Sequence, residues 1–312
     1  MCCGGGNKSF GSRSTVQLCL LLVLILANGA AGRLQVGFYR RSCPNAESIV
    51  RRVAWAAASS DPSLAAKLLR LFFHDCFPQG CDASVLLDGP DSEKTAFPNQ
   101  SLGGLDVIDA VKAALESACP SVVSCADALA LATRDAVSFQ FGRALWAVQT
   151  GRRDSRAAPR AADGLDVPHP DSDFPRLRAA FAGRNLSVAD LVALSGAHTL
   201  GRASCRFVAG PELRRRLSCP DAASTADMMV PMDPGSEFRF DGGYFDAVKA
   251  NRAALLSDAA LMQDAKAARL VDEFRDQGKF VAAFAKSITR MGAIGVLTGN
   301  DGEIRRNCRD LN

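Results

Sequence analysis

Residues 68–88, LLRLFFHDCFPQGCDASVLLD, begin as an apolar helical run and then set Arg70, His74 and Asp75 where leucines would be expected. Arg70 and His74 are four residues apart, so on a helix they share one face, with Phe73 beside them. A histidine can carry protons near neutral pH. The plainer alternative is a core histidine with its hydrogen bonds satisfied. Just beyond, Asp75, Asp82 and Ser84 bring hard oxygen donors together on a turn pinched by Cys76 and Cys81. Calcium prefers such a mixture of carboxylate, carbonyl and hydroxyl oxygen, although an aspartate-rich turn can also bind nothing. A second histidine, His198 in DLVALSGAHTLG, is expected to end an apolar helix, where Gly196 and Gly201 let the backbone lie against something flat or bulky. A histidine there could instead simply complement the helix dipole. The third and last, His169 between Pro168 and Pro170, has no polar cluster around it and reads as surface.

The elements that must hold these groups are helices. Asp61-Pro62 reads as an N-cap followed by proline at the first helical position, opening a helix that carries 64–75. Ser124 to Asp127 and Ser187 to Asp190 resemble capping boxes with aspartate in the glutamate place. Apolar residues recur at helical spacing, as in Val107, Ile108, Val111, Ala114 and Leu115. Strand-like alternation is scarce. Residues 151–173 and 228–243, rich in proline, glycine and charge, read as loops.

Lys8 and Arg13 precede the apolar run 16–27 and the small residues 29–32, so residues 1–32 are expected to be a signal peptide. Residues 33–312 then form the working domain, large enough for a substantial core. Removing the leader lowers the formal charge from +4 to +2 and leaves one basic run, Arg214 to Arg216, which reads as a solvated helix face, not a nucleic-acid site. No other stretch is long enough to span a membrane. Cys2, Cys3 and Cys19 leave with the leader. Eight remain, namely Cys43, Cys76, Cys81, Cys119, Cys125, Cys205, Cys219 and Cys308, an even set that reads as four disulfides in a secreted chain. Spacing alone favours only the short loop from Cys76 to Cys81. Zinc is the weaker reading, because no CxxC pair occurs.

RLFFHDCF, GCDASVLLD, SCAD, GRRDS, ALSGAHTLG and NCR, in that order, resemble the blocks of a secreted class III plant peroxidase, from about Phe38 to Cys308. The resemblance implies a mainly α fold of two helical lobes enclosing haem b: a distal lobe over about 33–150 plus a C-terminal return, and a proximal lobe over about 151–290. It makes Arg70, Phe73 and His74 the distal pocket, with Asn99 as partner of His74. His198 becomes the axial iron ligand, held by Asp258, and Pro168 lies near the substrate entrance. Two calcium ions are implied. The distal one would take Asp75, Asp82 and Ser84 by side chain and Pro78 and Gly80 by carbonyl; the proximal one Thr199, Asp233, Ser236, Asp241 and the carbonyl of Arg239. The implied disulfides join Cys43 to Cys119, Cys76 to Cys81, Cys125 to Cys308 and Cys205 to Cys219.

The implied activity is reduction of hydrogen peroxide with one-electron oxidation of small phenolic donors, by a monomer. Met232 stands where intracellular relatives carry a tryptophan, so oxidising equivalents are expected on the porphyrin, with donors reacting at its edge. The chain ends four residues after Cys308, without the extension expected of vacuolar forms, which favours the apoplast or cell wall. It departs from the family in the short segment between Cys205 and Cys219, which is expected to leave the haem edge more open. Ser236-Glu237 stand where Thr-Pro is usual, and Gly242 where asparagine is usual. Of the two sequons, Asn185-Leu-Ser187 is expected to carry a glycan and Asn99-Gln-Ser101 to stay bare. The rivals are a disulfide-rich haem or calcium protein of the cell wall with little turnover, and a secreted hydrolase using His74 and Asp75.

Overall fold

The computed structural model describes residues 33–157, 165–208, 210–219 and 228–312. The expected leader lies outside them. Eleven α-helices run through the described residues: α1 Ala46–Ser60, α2 Leu64–Cys76, α3 Leu105–Ala118, α4 Cys125–Ser138, α5 Phe174–Ala182, α6 Val188–Ser195, α7 Pro211–Arg216, α8 Gly243–Lys249, α9 Leu256–Ala259, α10 Ala265–Phe274 and α11 Gln277–Met291. Two small antiparallel ladders complete the fold, β1 Gln35–Val36 with β2 Gln149–Thr150, and β3 Arg202–Ser204 with β4 Met229–Pro231. Strand β4 of the second ladder falls inside residues 228–243, a stretch read as loop. Three residues of strand are too few to alternate detectably.

Helices α1 to α4 pack on one another, and α6 packs on α5, α10 and α11. Helix α4 is buried along its whole length, and its polar side chains find partners inside the protein, as Arg134 does on Asp135 and Glu47. Its N-terminus explains two of the sequence blocks. Asp154 accepts from the backbone N–H of Cys125 (3.0 Å) and Ala126 (2.9 Å), while buried Arg152 donates to Asp127 at 2.8 Å. The capping box read at Ser124 is therefore half formed. Ser124 accepts from the Asp127 N–H, but the Asp127 carboxylate turns to Arg152, Gly151 N–H and the Tyr39 hydroxyl. At Ser187 both halves are present. Helix α2 starts at Leu64, after a turn over Pro62 and Ser63 in which the Asp61 carboxylate accepts from the Ser63 N–H and pairs with Lys67.

All four expected disulfides are formed: Cys43 with Cys119, Cys76 with Cys81, Cys125 with Cys308, and Cys205 with Cys219. After α11 the chain returns to the loop that follows α2. Cys81 N–H donates to the Ile294 carbonyl at 2.9 Å, and a Cβ on Gly80 would stand 2.6 Å from the Gly295 carbonyl oxygen, so neither strand of this crossing has room for a side chain. Arg305, wholly buried, donates to the carbonyls of Ala83 (2.6 Å) and Cys308 (2.9 Å). Among the described residues no helix is long and apolar enough to cross a membrane.

Candidate active site

The last two turns of α2 carry Arg70, Phe73, His74 and Asp75, and a 3-10 turn at Gly196–Thr199, just past α6, carries His198. Helix α2 packs against that turn. Asn99 reaches His74 from a neighbouring loop, its Oδ1 2.6 Å from Nδ1, and its Nδ2 donates to the Glu93 carbonyl at 2.9 Å. The second bond fixes the amide orientation, so Oδ1 must accept and Nδ1 must carry the proton. Nε2 is left as the basic nitrogen. Burial, with Arg70 as a nearby positive charge, pushes the His74 pKa down to about 4, against a smaller upward pull from Asn99. Arg70 is held by the same loop, donating to the Pro98 carbonyl (2.7 Å) and the Ser101 hydroxyl (2.9 Å). Phe73 stacks on Phe77 at 4.7 Å and meets the His74 ring edge to face at 5.9 Å.

His198 Nδ1 lies 2.8 Å from Asp258 Oδ1. Burial lowers the pKa of His198, but the charge and hydrogen bond of Asp258 outweigh it and raise it. Its side chain nevertheless keeps 37 % of its surface open. The charge of Arg70 lowers the pKa of both histidines, being the weakest of the influences on His198. The flat partners of Gly196 are the Phe245 and Phe280 rings, which a Cβ would meet at 2.8 and 2.3 Å. A hollow lined by Phe72, Ala130, Trp146, Arg152 and Ile288 includes none of the residues expected at the site.

Two oxygen clusters flank this centre. In the first, Asp75 is buried with neither carboxylate oxygen partnered. Its pKa is raised well above the usual range by burial and by the charges of Asp82 and Glu93. Glu93, pushed up to about 7 mainly by burial, faces Ser84 and Asp82. The expected carbonyl donors are partly engaged: Pro78 accepts from Arg184 at 3.0 Å and Gly80 from the Asp82 N–H at 3.0 Å, each keeping a second lone pair. In the second cluster, Thr199 Oγ1 donates to Asp233 (3.0 Å) and lies 3.3 Å from the Arg239 carbonyl, while Ser236 donates to Asp233 at 2.8 Å and lies 3.3 Å from Asp241. Glu237 turns away to pair with Arg202 at 2.7 Å. Gly242 has a reason to lack a side chain, since a Cβ would stand 2.8 Å from the Arg275 carbonyl oxygen. Among the described residues no three or more His, Cys, Asp or Glu side chains form a metal-binding group. Any ion here must draw on hydroxyl and carbonyl oxygen as well, as calcium does.

A model of the peroxidase family, described as Peroxidase, matches residues 50–277. The chain is 44% identical to Peroxidase 24 of Arabidopsis thaliana, with 98% of this chain and 99% of that protein covered. It is 42% identical to Peroxidase 27 of Arabidopsis thaliana and 41% identical to Peroxidase 70 of Zea mays, each covering 96% of this chain and 99% of the relative. The chain belongs to the class III plant peroxidases. The peroxidase is therefore a haem enzyme that acts on hydrogen peroxide, from a family of secreted proteins. Its residues fit the cofactor. His74 and His198 each use Nδ1 on a protein partner, which leaves Nε2 as the nitrogen that could meet a bound group, and haem iron takes an imidazole nitrogen as its ligand.

Other expected positions fall as follows. Pro168 is half-buried in a loop whose Pro170 carbonyl accepts from Ser257 N–H at 2.9 Å, next to Asp258. His169 is exposed, but it pairs with Asp171 at 2.5 Å and so is not without a polar neighbour. Met232 packs with Ala203 and Leu255. The short segment after Cys205 packs around Val208, Val230, Leu213 and Leu217, and Arg206 lies 5.8 Å over the ring of Phe97, in the loop that carries Asn99. Sequence reasoning missed Glu93 and Tyr244. Glu93 stands six residues before Asn99 without a recognisable metal spacing. Tyr244 is one of only two tyrosines in the chain, and that scarcity was the one available signal.

Proposed function

We propose that this peroxidase oxidises small phenolic donors one electron at a time, with His74 as the acid–base group and His198 as the axial ligand. The observation that carries the reading is the fixed tautomer of His74, whose Nε2 stays unprotonated at neutral pH. Nε2 can take the proton from one peroxide oxygen and return it to the other, which leaves as water. Asn99 holds the ring for both transfers. Arg70, steadied by Pro98 and Ser101, stabilises negative charge on the departing oxygen. Below, Asp258 draws the His198 proton and makes the ring a stronger donor. Haem, when bound, supplies two electrons to peroxide and recovers them singly from two phenols. Peroxide, two electrons and two protons thus give two waters.

Two calcium ions are part of the proposal. Asp75, Asp82, Ser84 and the carbonyls of Pro78 and Gly80 would hold one, with Glu93 behind them. Thr199, Asp233, Ser236, Asp241 and the Arg239 carbonyl would hold the other. The buried, unpartnered carboxylate of Asp75 supports the first. Secretion to the apoplast or cell wall and a monomeric state complete the reading. The test is reconstitution with haem, followed by an optical spectrum and peroxide-driven oxidation of guaiacol. The expected result is a Soret band and coloured product. A Soret band without product would leave only a haem-binding protein, and no Soret band would remove the haem reading for this chain.

A further inference from the structure

Asp258 serves two donors with a single oxygen. His198 Nδ1 and the Tyr244 hydroxyl both stand 2.8 Å from Asp258 Oδ1. Tyr244 is almost wholly buried on α8, and its ring meets that of His198 edge to face at 6.0 Å. The glycine at 196 brings it there, because α8 presses Phe245 onto the Gly196 backbone where a Cβ would collide. The buried Tyr244 hydroxyl is thus held by the Asp258 carboxylate, with the Ser195 side chain as its other hydrogen-bonding neighbour.

We propose that Tyr244 is a positioning residue for the axial histidine, limiting through Asp258 how much negative charge reaches the His198 ring. The proposal rests on the reading of His198 as the iron ligand. Two donors on one carboxylate oxygen each weaken its pull on the other. Without the tyrosine hydroxyl, Oδ1 would draw the His198 proton harder, and the ring would become more imidazolate-like. Such a ring favours the ferric over the ferrous state.

The test uses the haem-loaded protein and reads the ferric/ferrous midpoint potential. Tyr244→Phe, which removes only the hydroxyl, is expected to shift it to a more negative value. Asp258→Asn should abolish that shift, so that Asp258→Asn and the Asp258→Asn, Tyr244→Phe double variant have equal potentials. No shift in Tyr244→Phe, or the same shift with Asp258 replaced, overturns the proposal. If Tyr244→Phe fails to hold haem, the two-tyrosine composition offers a second route. In a Tyr39→Phe background, growth on 3-fluorotyrosine labels only Tyr244 and makes it a stronger donor. The potential should then rise, and an unmoved potential overturns the proposal. Resonance Raman separates the two levels of inference. If His198→Ala retains the ferrous iron–histidine band, the ligand reading fails. If it loses the band while Tyr244→Phe leaves the potential unmoved, only the role of Tyr244 fails.

Discussion

His74 and His198 are the same side chain held by the same ring nitrogen, yet their environments drive them in opposite directions. Burial, helped by the nearby Arg70 guanidinium, takes the His74 pKa down to about 4, and the neutral amide it leans on offsets only part of that. His198 leans on a carboxylate, and its pKa rises. The oxygen clusters beside them differ in a parallel way: Asp75 has no protein donor at all, whereas Asp233 receives two hydroxyls. Both rings lose basicity on burial; a neutral amide returns little of it and a carboxylate returns more than was lost, while the donors around a carboxylate decide how much it needs a cation.

The largest effect should come from breaking the histidine contrast. His74→Ala is expected to keep the haem spectrum and slow the reaction with peroxide by about a hundredfold to ten-thousandfold. His198→Ala should instead weaken haem binding itself. Stopped-flow mixing and haem titration check both, and a His74→Ala rate within about tenfold of wild type would remove His74 as the acid–base group.

The contrast between the oxygen clusters predicts a reversal of sign. With calcium present, Asp75→Asn should lower Tm by roughly 5 °C or more, because a charged ligand is lost. After chelation the same variant should melt above wild type, since it no longer buries an unpartnered carboxylate. Asp233→Asn should show the same pattern, weaker, because Thr199 and Ser236 already serve that group. Differential scanning with verified calcium content is the check. An unchanged melting curve after calcium removal would count against both sites.

A smaller effect concerns pH. Because the folded pKa of His74 lies near 4 and below its ordinary value, the rate of reaction with peroxide should stay level from neutral pH down to about 4 and fall below it. The sign for stability is also fixed: the unfolded chain binds the proton first, so this group's contribution makes the fold more stable as pH rises from about 4 to about 6.5. Arg70→Gln removes a charge that pushes the pKa down and should move the acid limb to higher pH. An unmoved limb would mean that burial alone sets it.

The smallest effect separates the two sequons. Asn185 is exposed at a left-handed turn, φ 57°, whereas Asn99 is buried against His74. Peptide mapping of the secreted protein should find glycan on Asn185 only, with a stability change of about 0.5 kcal/mol or less on its loss. Glycan on Asn99 would exclude it from the distal pocket.

The fold was legible wherever the chain's own periodicity carried it. The helical spacing of 64–75 and the capping residues at Ser187 lie within one element, and the structure has them. Residues that act across the chain were not. Tyr244 reaches Asp258 fourteen residues away, and nothing in the local pattern FDGGYF marks its hydroxyl as different from any buried phenol. Glu93 reads as one more acidic residue before a lysine. Its burial depends on how the loop folds back over Ser84. The half-formed cap at Ser124 failed for the same reason, because Arg152 and Tyr39 compete for Asp127 from distant points of the sequence.

The return of the C-terminal segment fixes an order of events. Arg305 secures the loop at Ala83 and the disulfide partner of Cys125 is Cys308, so the first third of the chain waits for the last residues to be synthesised. A ribosome adding roughly 5–20 residues per second needs about ten seconds or more to cover that distance. During that interval Asp75 and Asp82 belong to an unfinished loop, and Cys125 must be kept from other thiols. The loop around Ala83 and the start of α4 are thus translated early and completed late, and a chain interrupted before Arg305 would leave them unsealed.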